Sequence, residues 1–326
     1  MTLGHGALDG TKVRANASKH KAMRDDRMPE AERRLEQEIA ALLVEAQRVD
    51  GAEDAQYGKG KRGDELPAEL TRRETRLAKI RAAKADLEAE AKAAAGAAAE
   101  AQAKCAERAR RATETGRQPK GPAPTAPDPT QATPEPKAQR NFTDPESRIM
   151  QDGATKSVVQ ADNAQAVVEG TAQIIVAAAV TQAANDKQQL VLLLAQAEGH
   201  CGARPVAASA DAGYFSEAAV TDPALRGIAL YIPPDRQKHG EAPPPPADDG
   251  TARSAMRTNL QTTAGHALYA RRKAIVEPVF GQIKEARGFR RFSFRGFAKV
   301  QAEWQVICLT HNLLKLFRAG WRPQMA

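Results

Sequence analysis

Residues 205–214 read Pro-Val-Ala-Ala-Ser-Ala-Asp-Ala-Gly-Tyr, a short apolar segment that runs directly into an acidic residue and a glycine. The apolar part has the length of a buried strand. An aspartate just past such a strand lies at the carboxyl edge of a sheet, where open α/β sheets bind their ligands. Asp211 is therefore the first candidate for a functional carboxylate.

Two further acidic residues stand in distinctive settings elsewhere in the chain. Asp9 occurs in Leu-Asp-Gly-Thr-Lys-Val, where Asp-Gly suggests a turn and the alternation after it suggests a short strand over residues 8–17. Glu277 lies in a helical stretch, with Lys273 and Lys284 on roughly the same face. Two strand-end aspartates and a helical glutamate can hold a pair of Mg²⁺ ions that cut or join phosphodiesters. The alternatives are a structural Asp-Gly turn and a solvated helical glutamate.

The positive charge of the chain is concentrated near its C-terminus. The formal net charge is +8, but residues 253–326 alone carry 14 Lys and Arg against three acidic residues, which gives +11 there and −3 elsewhere. Such a local excess predicts a surface that binds a polyanion, here nucleic acid. Arginines and phenylalanines alternate over residues 289–297, which predicts either a loop anchored by its rings or a DNA contact.

Other features of the composition exclude several classes of protein. The three cysteines, Cys105, Cys201 and Cys308, are widely spaced, which favours neither a disulfide framework nor a zinc site. No signal peptide is recognisable at the N-terminus. The best apolar run, Ile174–Val180, is far shorter than the roughly 20 residues of a membrane span. These observations predict a soluble, cytoplasmic protein without a membrane partner.

The order of segments predicts an α/β fold with an interruption. Residues 1–28 hold the first strand, 29–115 read as an α-helical hairpin insertion, 116–140 read as a Pro-rich disordered linker, and 141–326 hold the rest of the sheet with basic C-terminal helices. Strands are expected at 158–168, 173–180, 205–210 and 228–232, with a hairpin turn at 169–171. Helices are expected at 186–199, capped by Asn185 or Asp186, and at 216–227, 263–283 and 296–318.

Together these segments resemble the DDE transposases of bacterial insertion sequences, which have an RNase H-like catalytic domain. The resemblance covers nearly all of the chain outside the hairpin and linker. It is carried, in order, by DGTKVRANAS (9–18), NFTDPESRIM (141–150), DNAQAVV (162–168), ANDKQQL (184–190), SADAGY (209–214), RQKHG (236–240), YARRKAIVEPVFGQIK (269–284) and AEWQVICLTHNLLKL (302–316).

The resemblance implies a five-stranded RNase H-like mixed sheet with flanking helices. It implies metal-dependent phosphodiester hydrolysis and strand transfer in DNA transposition, on double-stranded DNA and with a homodimer on that DNA. Asp9, Asp211 and Glu277 become the catalytic residues and the ligands of two Mg²⁺ ions, for which Mn²⁺ can substitute. The DNA-binding residues that the resemblance and the local charge imply are Arg272, Lys273, Lys284, Arg287, Arg290, Arg291 and Arg295.

The chain also departs from the pattern of these transposases. Tyr269 and Arg272 are each one place off the family spacing, and Lys273 occupies the position of the arginine. These transposases usually carry a DNA-end-binding domain before the first aspartate, whereas Asp9 is the ninth residue here, so an N-terminally truncated copy is expected. The alternative functions are a catalytically inactive, DNA-binding transposase remnant and a host RNase H-like nuclease.

Overall fold

The computed structural model describes residues 3–57, 68–114, 126–153, 156–235 and 250–320. Within these residues the strands are β1 (His5–Arg14), β2 (Ala22–Arg24), β3 (Gln139–Asn141), β4 (Arg148–Gln151), β5 (Val158–Glu169), β6 (Ile175–Thr181), β7 (Ala207–Ser209) and β8 (Ala229–Tyr231). The α-helices are α1 (Met28–Tyr57), α2 (Ala68–Glu114), α3 (Gln189–Cys201), α4 (Glu217–Val220), α5 (Ala252–Gln261), α6 (Thr263–Gly281) and α7 (Phe297–Arg318). The chain divides into two compact units, one of Met1–Lys19 with Glu146–Ala326 and one of His20–Pro145.

The first unit is built on a mixed sheet in the order β4-β5-β1-β7-β8, in which β6 also pairs with β5. Strand β1 lies in the middle, antiparallel to β5 and parallel to β7. Strands β5 and β6 form the predicted antiparallel hairpin. The expected α/β class is confirmed, but the described sheet has six strands rather than five. The extra strand, β4, has four residues and no alternation that would identify it from sequence.

Apolar side chains cover both faces of this sheet. On one face, Leu8 and Val167 pack with Leu190, Leu193 and Leu194 of α3. On the other face, the small strand residues Ala7, Ala164 and Ala166 pack against α6 and α7. The side chains of β1 therefore point alternately to the two faces of the sheet. Those of the odd-numbered residues, including Asp9, lie on the face covered by α6.

Helix α6 continues through Pro278, although a proline ordinarily disturbs a helix interior. A proline has no N–H, so the carbonyl four residues earlier, that of Ala274, loses its helical donor. The side chain of Gln173 replaces that donor, since its Nε2 donates to the Ala274 carbonyl at 2.9 Å. The helix therefore remains continuous, and Glu277 is held within it.

The second unit contains the long helices α1 and α2. Ion pairs join Glu32 to Arg81 at 2.8 Å and Glu38 to Arg73 at 2.9 Å, so α2 runs antiparallel to α1, as the sequence predicts. The apolar seam between them contains Met28, Leu35, Leu77, Ile80, Ala83 and Leu87. The short strands β2 and β3 pair with each other in the same unit.

Part of the predicted linker has defined structure. Residues 116–125 lie outside the described part of the chain, but residues 126–140 make specific contacts. The Ala126 N–H donates to the side chain of Gln102 on α2, and β3 begins at Gln139. The described helices include none that is long and apolar enough to cross a membrane.

Candidate active site

Asp9 and Asp211 lie side by side at the centre of the sheet. Strands β1 and β7 run parallel with Ala7 opposite Ser209, and each aspartate follows two residues further along its own chain. The two aspartates are close enough for the charge of Asp211 to raise the pKa of the Asp9 carboxyl group. The backbone at Asp211 is extended, and its Oδ1 accepts a hydrogen bond from the Gly213 N–H at 2.9 Å.

Arg272 of α6 completes this arrangement. Its guanidinium lies 3.3 Å from Asp9 Oδ2 and over the ring of Tyr269, 5.8 Å from the centroid. The residue is only 7% exposed, and its Nε–H is buried without a hydrogen-bond partner among the described residues. A buried donor without a partner costs stability, so Arg272 is held here at the expense of one unsatisfied group.

Burial dominates the electrostatics of Asp9. Loss of solvent raises the pKa of its carboxyl group to about 6, against an ordinary 3.8. Arg272 lowers this pKa, and the neighbouring charges of Asp211 and Asp186 raise it. The ionised form of Asp9 is thus stabilised less than in water, so a bound cation would favour it.

A third aspartate, Asp186, belongs to the same region, which its sequence context does not predict. Its Oδ1 accepts hydrogen bonds from the side-chain amides of Asn163 and Gln165, both at 2.6 Å. The hydroxyl of the buried Tyr214 donates to Gln165 Oε1, so this network reaches the turn that carries Asp211. The expected capping of α3 by Asp186 is wrong, because α3 begins after Gln188 without a side-chain cap. Its carboxylate is bound by the two β5 amides instead.

Gly10 lies inside β1, so the expected turn at Asp9-Gly10 is wrong. Glycine is needed here because the side chains of Gln165 and Asp186 pack closely against its backbone. A Cβ built on it would lie 2.4 Å from Gln165 Nε2 and 3.0 Å from Asp186 Oδ1. Both atoms are fixed by the amide network, so neither can move cheaply.

Gly10→Ala is therefore expected to lower the free energy of unfolding by about 1–3 kcal/mol, because the methyl group forces the Gln165 amide away from its partners. Gly4→Ala is the matched control, since a Cβ there meets nothing within 4 Å. Urea unfolding of the two variants measures the difference. Equal midpoints would show that the network yields to the methyl group.

Glu277 is exposed on α6. Among the described residues, no group of three or more His, Cys, Asp or Glu side chains is placed to hold a metal ion. Residues five apart on a helix differ by about 140° in direction. Arg272 is turned onto Asp9, so its side chain and that of Glu277 leave α6 in different directions. Its catalytic and metal-binding role stays a prediction.

Lys284 contacts the site strand two residues beyond Asp9. Its Nζ donates to Thr11 Oγ1 at 2.8 Å and to the Lys12 carbonyl at 2.9 Å. Residues Gln282–Ala286 form a π-helical turn, which holds more residues than an α-turn. That extra residue brings Lys284 onto the same side as Arg272, whereas Lys273 is exposed. The structure thus places Arg272, rather than Lys273, beside the carboxylates.

The arginine-rich loop, residues 288–296, is held by hydrogen bonds to the end of β1 and to α7. Arg14 and Arg291 form a backbone bridge. The Glu303 carboxylate of α7 accepts from the N–H groups of Ser293 and Phe294 at 2.8 and 3.0 Å. Arg295 Nε donates to the Asn16 carbonyl at 2.8 Å. The loop therefore presents its cations from a fixed backbone.

The predicted DNA-binding arginines differ in exposure and in the number of contacts that their side chains make within the fold. Arg287 is bound within the fold: it donates to the Ile307 carbonyl at 3.1 Å and lies 4.8 Å from the centroid of the Phe289 ring. Arg290 pairs with Glu285, but its side chain is mostly exposed. Arg291 and Arg295 are exposed as well. The arginine-rich loop, more than Arg287, is thus the part of this set that a ligand can reach.

The family model described as "Transposase DDE domain" matches residues 247–317. No curated protein and no solved structure matches the chain. The matched segment contains Arg272, Glu277, Lys284 and the arginine-rich loop, and the match supports a DDE-type transposase. Asp9 and Asp211 lie outside it and are connected to it by the fold, through Arg272.

Proposed function

We propose that this chain is the catalytic domain of a DDE transposase of the bacterial insertion-sequence type, and that it carries out metal-dependent phosphodiester hydrolysis and strand transfer on double-stranded DNA. One observation carries the proposal. Asp9 and Asp211, from distant parts of the sequence, meet on neighbouring strands beside Arg272, which lies within the matched segment. The mixed directions of β5, β1 and β7 support an RNase H-like sheet.

The paired aspartates fit a divalent cation. Carboxylate oxygens are the ligands that Mg²⁺ prefers. Asp9 is a buried carboxylate, and burial removes the water that would otherwise stabilise its negative charge. Asp9 and Asp211 would hold the ions, with Glu277 as the third ligand; two Mg²⁺, or Mn²⁺ in their place, are proposed. When bound, such ions lower the pKa of an attacking water or 3′-hydroxyl and stabilise the leaving oxygen.

The residues of the chain bind and orient the DNA phosphate. The guanidinium of Arg272, which lies over the Tyr269 ring, is a donor for a phosphate oxygen. Lys284 holds β1 at Thr11 and adds a positive charge near the same place. The amide network around Asp186 holds the Asp211 turn against β5.

Incubating the full chain with supercoiled plasmid tests the proposal. Nicked and linear products that require Mg²⁺ or Mn²⁺ and disappear with EDTA are expected. Intact plasmid under all cation conditions, from a folded chain that still binds DNA, would instead identify the alternative function. That alternative, a catalytically inactive DNA-binding remnant, is favoured by the lack of any group of three such metal-binding side chains among the described residues.

DNA binding by the arginine-rich loop should depend strongly on salt and little on sequence. Arg290→Ala combined with Arg291→Ala is expected to flatten the slope of log affinity against log salt by roughly 0.9 for each phosphate that the variant no longer neutralises, and to weaken binding to unrelated duplexes equally. The charge-matched control is Arg204→Ala with Arg226→Ala, two exposed arginines at other positions of the first unit. Fluorescence anisotropy at several salt concentrations gives the slopes. Equal slopes for both double variants would place the DNA surface elsewhere.

A further inference from the structure

Four phenylalanine rings lie in and beside the arginine-rich loop, and three of them anchor it to the core of the first unit. Phe292 is 1% exposed, and Phe289 and Phe297 pack, partly buried, against the cluster that α6 and α7 form with the sheet. Phe294 differs, because 56% of it is exposed. The rings of this segment therefore have two roles: three hold the loop, and the fourth is accessible to a ligand.

Hydrogen bonds hold the backbone that carries the exposed Phe294 ring. The Phe294 N–H donates to Glu303 Oε2 at 3.0 Å, and the Ser293 N–H donates to Oε1 of the same carboxylate at 2.8 Å. Asn16 Nδ2 donates to the Ser293 carbonyl at 2.6 Å, and Arg295 Nε donates to the Asn16 carbonyl at 2.8 Å. A ring on a backbone fixed in this way loses little conformational freedom on binding, which favours affinity.

Phe294 lines a pocket between the arginine-rich loop and α7. The pocket has a volume of about 300 Å³, at the lower end of the range for pockets that hold small molecules. A second flat surface in its lining is the guanidinium of Arg287, which lies over the Phe289 ring, 4.8 Å from the centroid. Two flat surfaces suit a flat, aromatic ligand. The other lining residues are Ala302, Glu303, Val306, Ile307 and Thr310.

The charged groups in the lining are already hydrogen-bonded within the fold. Arg287 donates to the Ile307 carbonyl at 3.1 Å and to Thr310 Oγ1. Both oxygens of Glu303 accept hydrogen bonds from the N–H groups of the loop. The pocket therefore offers flat surfaces for stacking, and its charged groups are engaged in bonds that a ligand would have to break. Stacking tolerates any base, whereas hydrogen bonds to base edges distinguish one base from another.

The cations around the pocket indicate which flat ligand it takes. Arg295 directly follows Phe294, Arg290 and Arg291 precede it, and all three side chains are exposed. The nearby acids do not offset these charges fully, because Glu285 pairs with Arg290 alone and Glu303 is bonded to the loop backbone. A nucleobase brings its own phosphates to such a rim, whereas an apolar side chain of another protein does not. Interleaved rings and cations bind single-stranded nucleic acid in this way.

We propose that the pocket between Phe294 and α7 binds an unpaired DNA base, which stacks on the Phe294 ring while Arg291 and Arg295 bind the phosphates beside it. This binding deepens the proposed function and rests on it, because cutting and rejoining duplex DNA produces strand ends whose last bases can leave the stack. It adds a ligand, single-stranded DNA, and a means of binding, base stacking, to the phosphate contacts of the arginine-rich loop.

A comparison that removes either the ring or the bases tests the pocket. Fluorescence anisotropy measures binding of the full chain, without divalent cations, to a labelled oligothymidylate of about 12 nucleotides and to an abasic strand with the same number of phosphates. Wild type should bind the oligothymidylate at least about fivefold more tightly, the smallest gain expected from one stacked base. Phe294→Ala should bind the abasic strand like wild type and lose this preference, and Phe294→Trp should retain it.

Phe317→Ala is the matched control, because Phe317 is an exposed ring of the same unit, at 71%, and does not line the pocket. A wild type without the preference, a Phe294→Ala variant that keeps it, or an equal loss in Phe317→Ala overturns the proposal. So does a wild-type dimer, seen by sedimentation without DNA, that Phe294→Ala abolishes while the preference is unchanged, because a second copy then occupies the pocket. No cleavage is measured, so a chain that stacks bases but cuts no plasmid contradicts only the proposed function.

Discussion

Replacing Asp211 by asparagine is expected to reduce cation-dependent DNA cleavage by at least about 10³-fold, the loss that follows when several kcal/mol of transition-state stabilisation are removed. The fold should survive, because the asparagine oxygen can still accept the hydrogen bond from the Gly213 N–H. The charge beside Asp9 is what disappears. Initial rates of plasmid nicking at saturating Mn²⁺ measure the effect.

Asp222→Asn is the matched control for that experiment. Asp222 also accepts a hydrogen bond from the backbone two residues later, at 2.8 Å from the Ala224 nitrogen, and also begins a short 3₁₀ helix. It shares the local role of Asp211 without lying beside Asp9. Retained cleavage in Asp211→Asn, or an equal loss in both variants, would contradict a catalytic role for Asp211.

The second large effect concerns stability and pH in the absence of divalent cations. Because the folded-state pKa of Asp9 is raised from 3.8 to about 6, the folded protein holds a proton there that the unfolded chain releases at lower pH. The resulting stability is fully present below about pH 4 and is lost as pH rises through about 6. The loss at pH 7.5 amounts to about 3 kcal/mol.

Asp9→Asn removes this dependence, because asparagine does not ionise. In EDTA, the stability of wild type relative to Asp9→Asn should therefore fall by about 3 kcal/mol between pH 4 and pH 7.5. Urea unfolding at the two pH values provides the comparison. Adding Mg²⁺ at pH 7.5 should then stabilise wild type more than the variant. A constant difference between the two proteins across this range would show that Asp9 titrates normally.

Local sequence signals predict the parts of the fold that depend on local chemistry. The apolar run ending on Asp211 and the β5–β6 hairpin are such cases, since strand length, turn residues and a strand-end acid are visible in one segment. Asp-Gly at residues 9 and 10 has the same local signal as a turn. What requires a glycine at residue 10 is the side-chain amide of Gln165, which packs against it. Gln165 lies 155 residues later in the sequence, so the local sequence cannot reveal this contact.

The remaining errors have similar causes. Asp186 has the sequence context of a helix cap, and only the packing of β5 reveals that Asn163 and Gln165 bind its carboxylate. The family spacing puts Lys273 at the position of the arginine, and nothing in the sequence shows that Arg272 is the residue turned onto Asp9. The π-helical turn at Gln282–Ala286 changes the relation between Arg272 and Lys284, and nothing in its composition indicates it.

The central position of β1 has a consequence for biosynthesis. Strand β1 ends at Arg14, but its antiparallel neighbour, β5, begins only at Val158, so the ribosome completes β1 long before its partner. At translation rates of about 5–20 residues per second, β1 waits roughly 7–30 s with both edges unpaired. A strand so exposed invites pairing with other chains. We therefore expect newly made protein to depend on chaperones until the sheet closes, and its soluble yield to rise when translation is fast relative to aggregation.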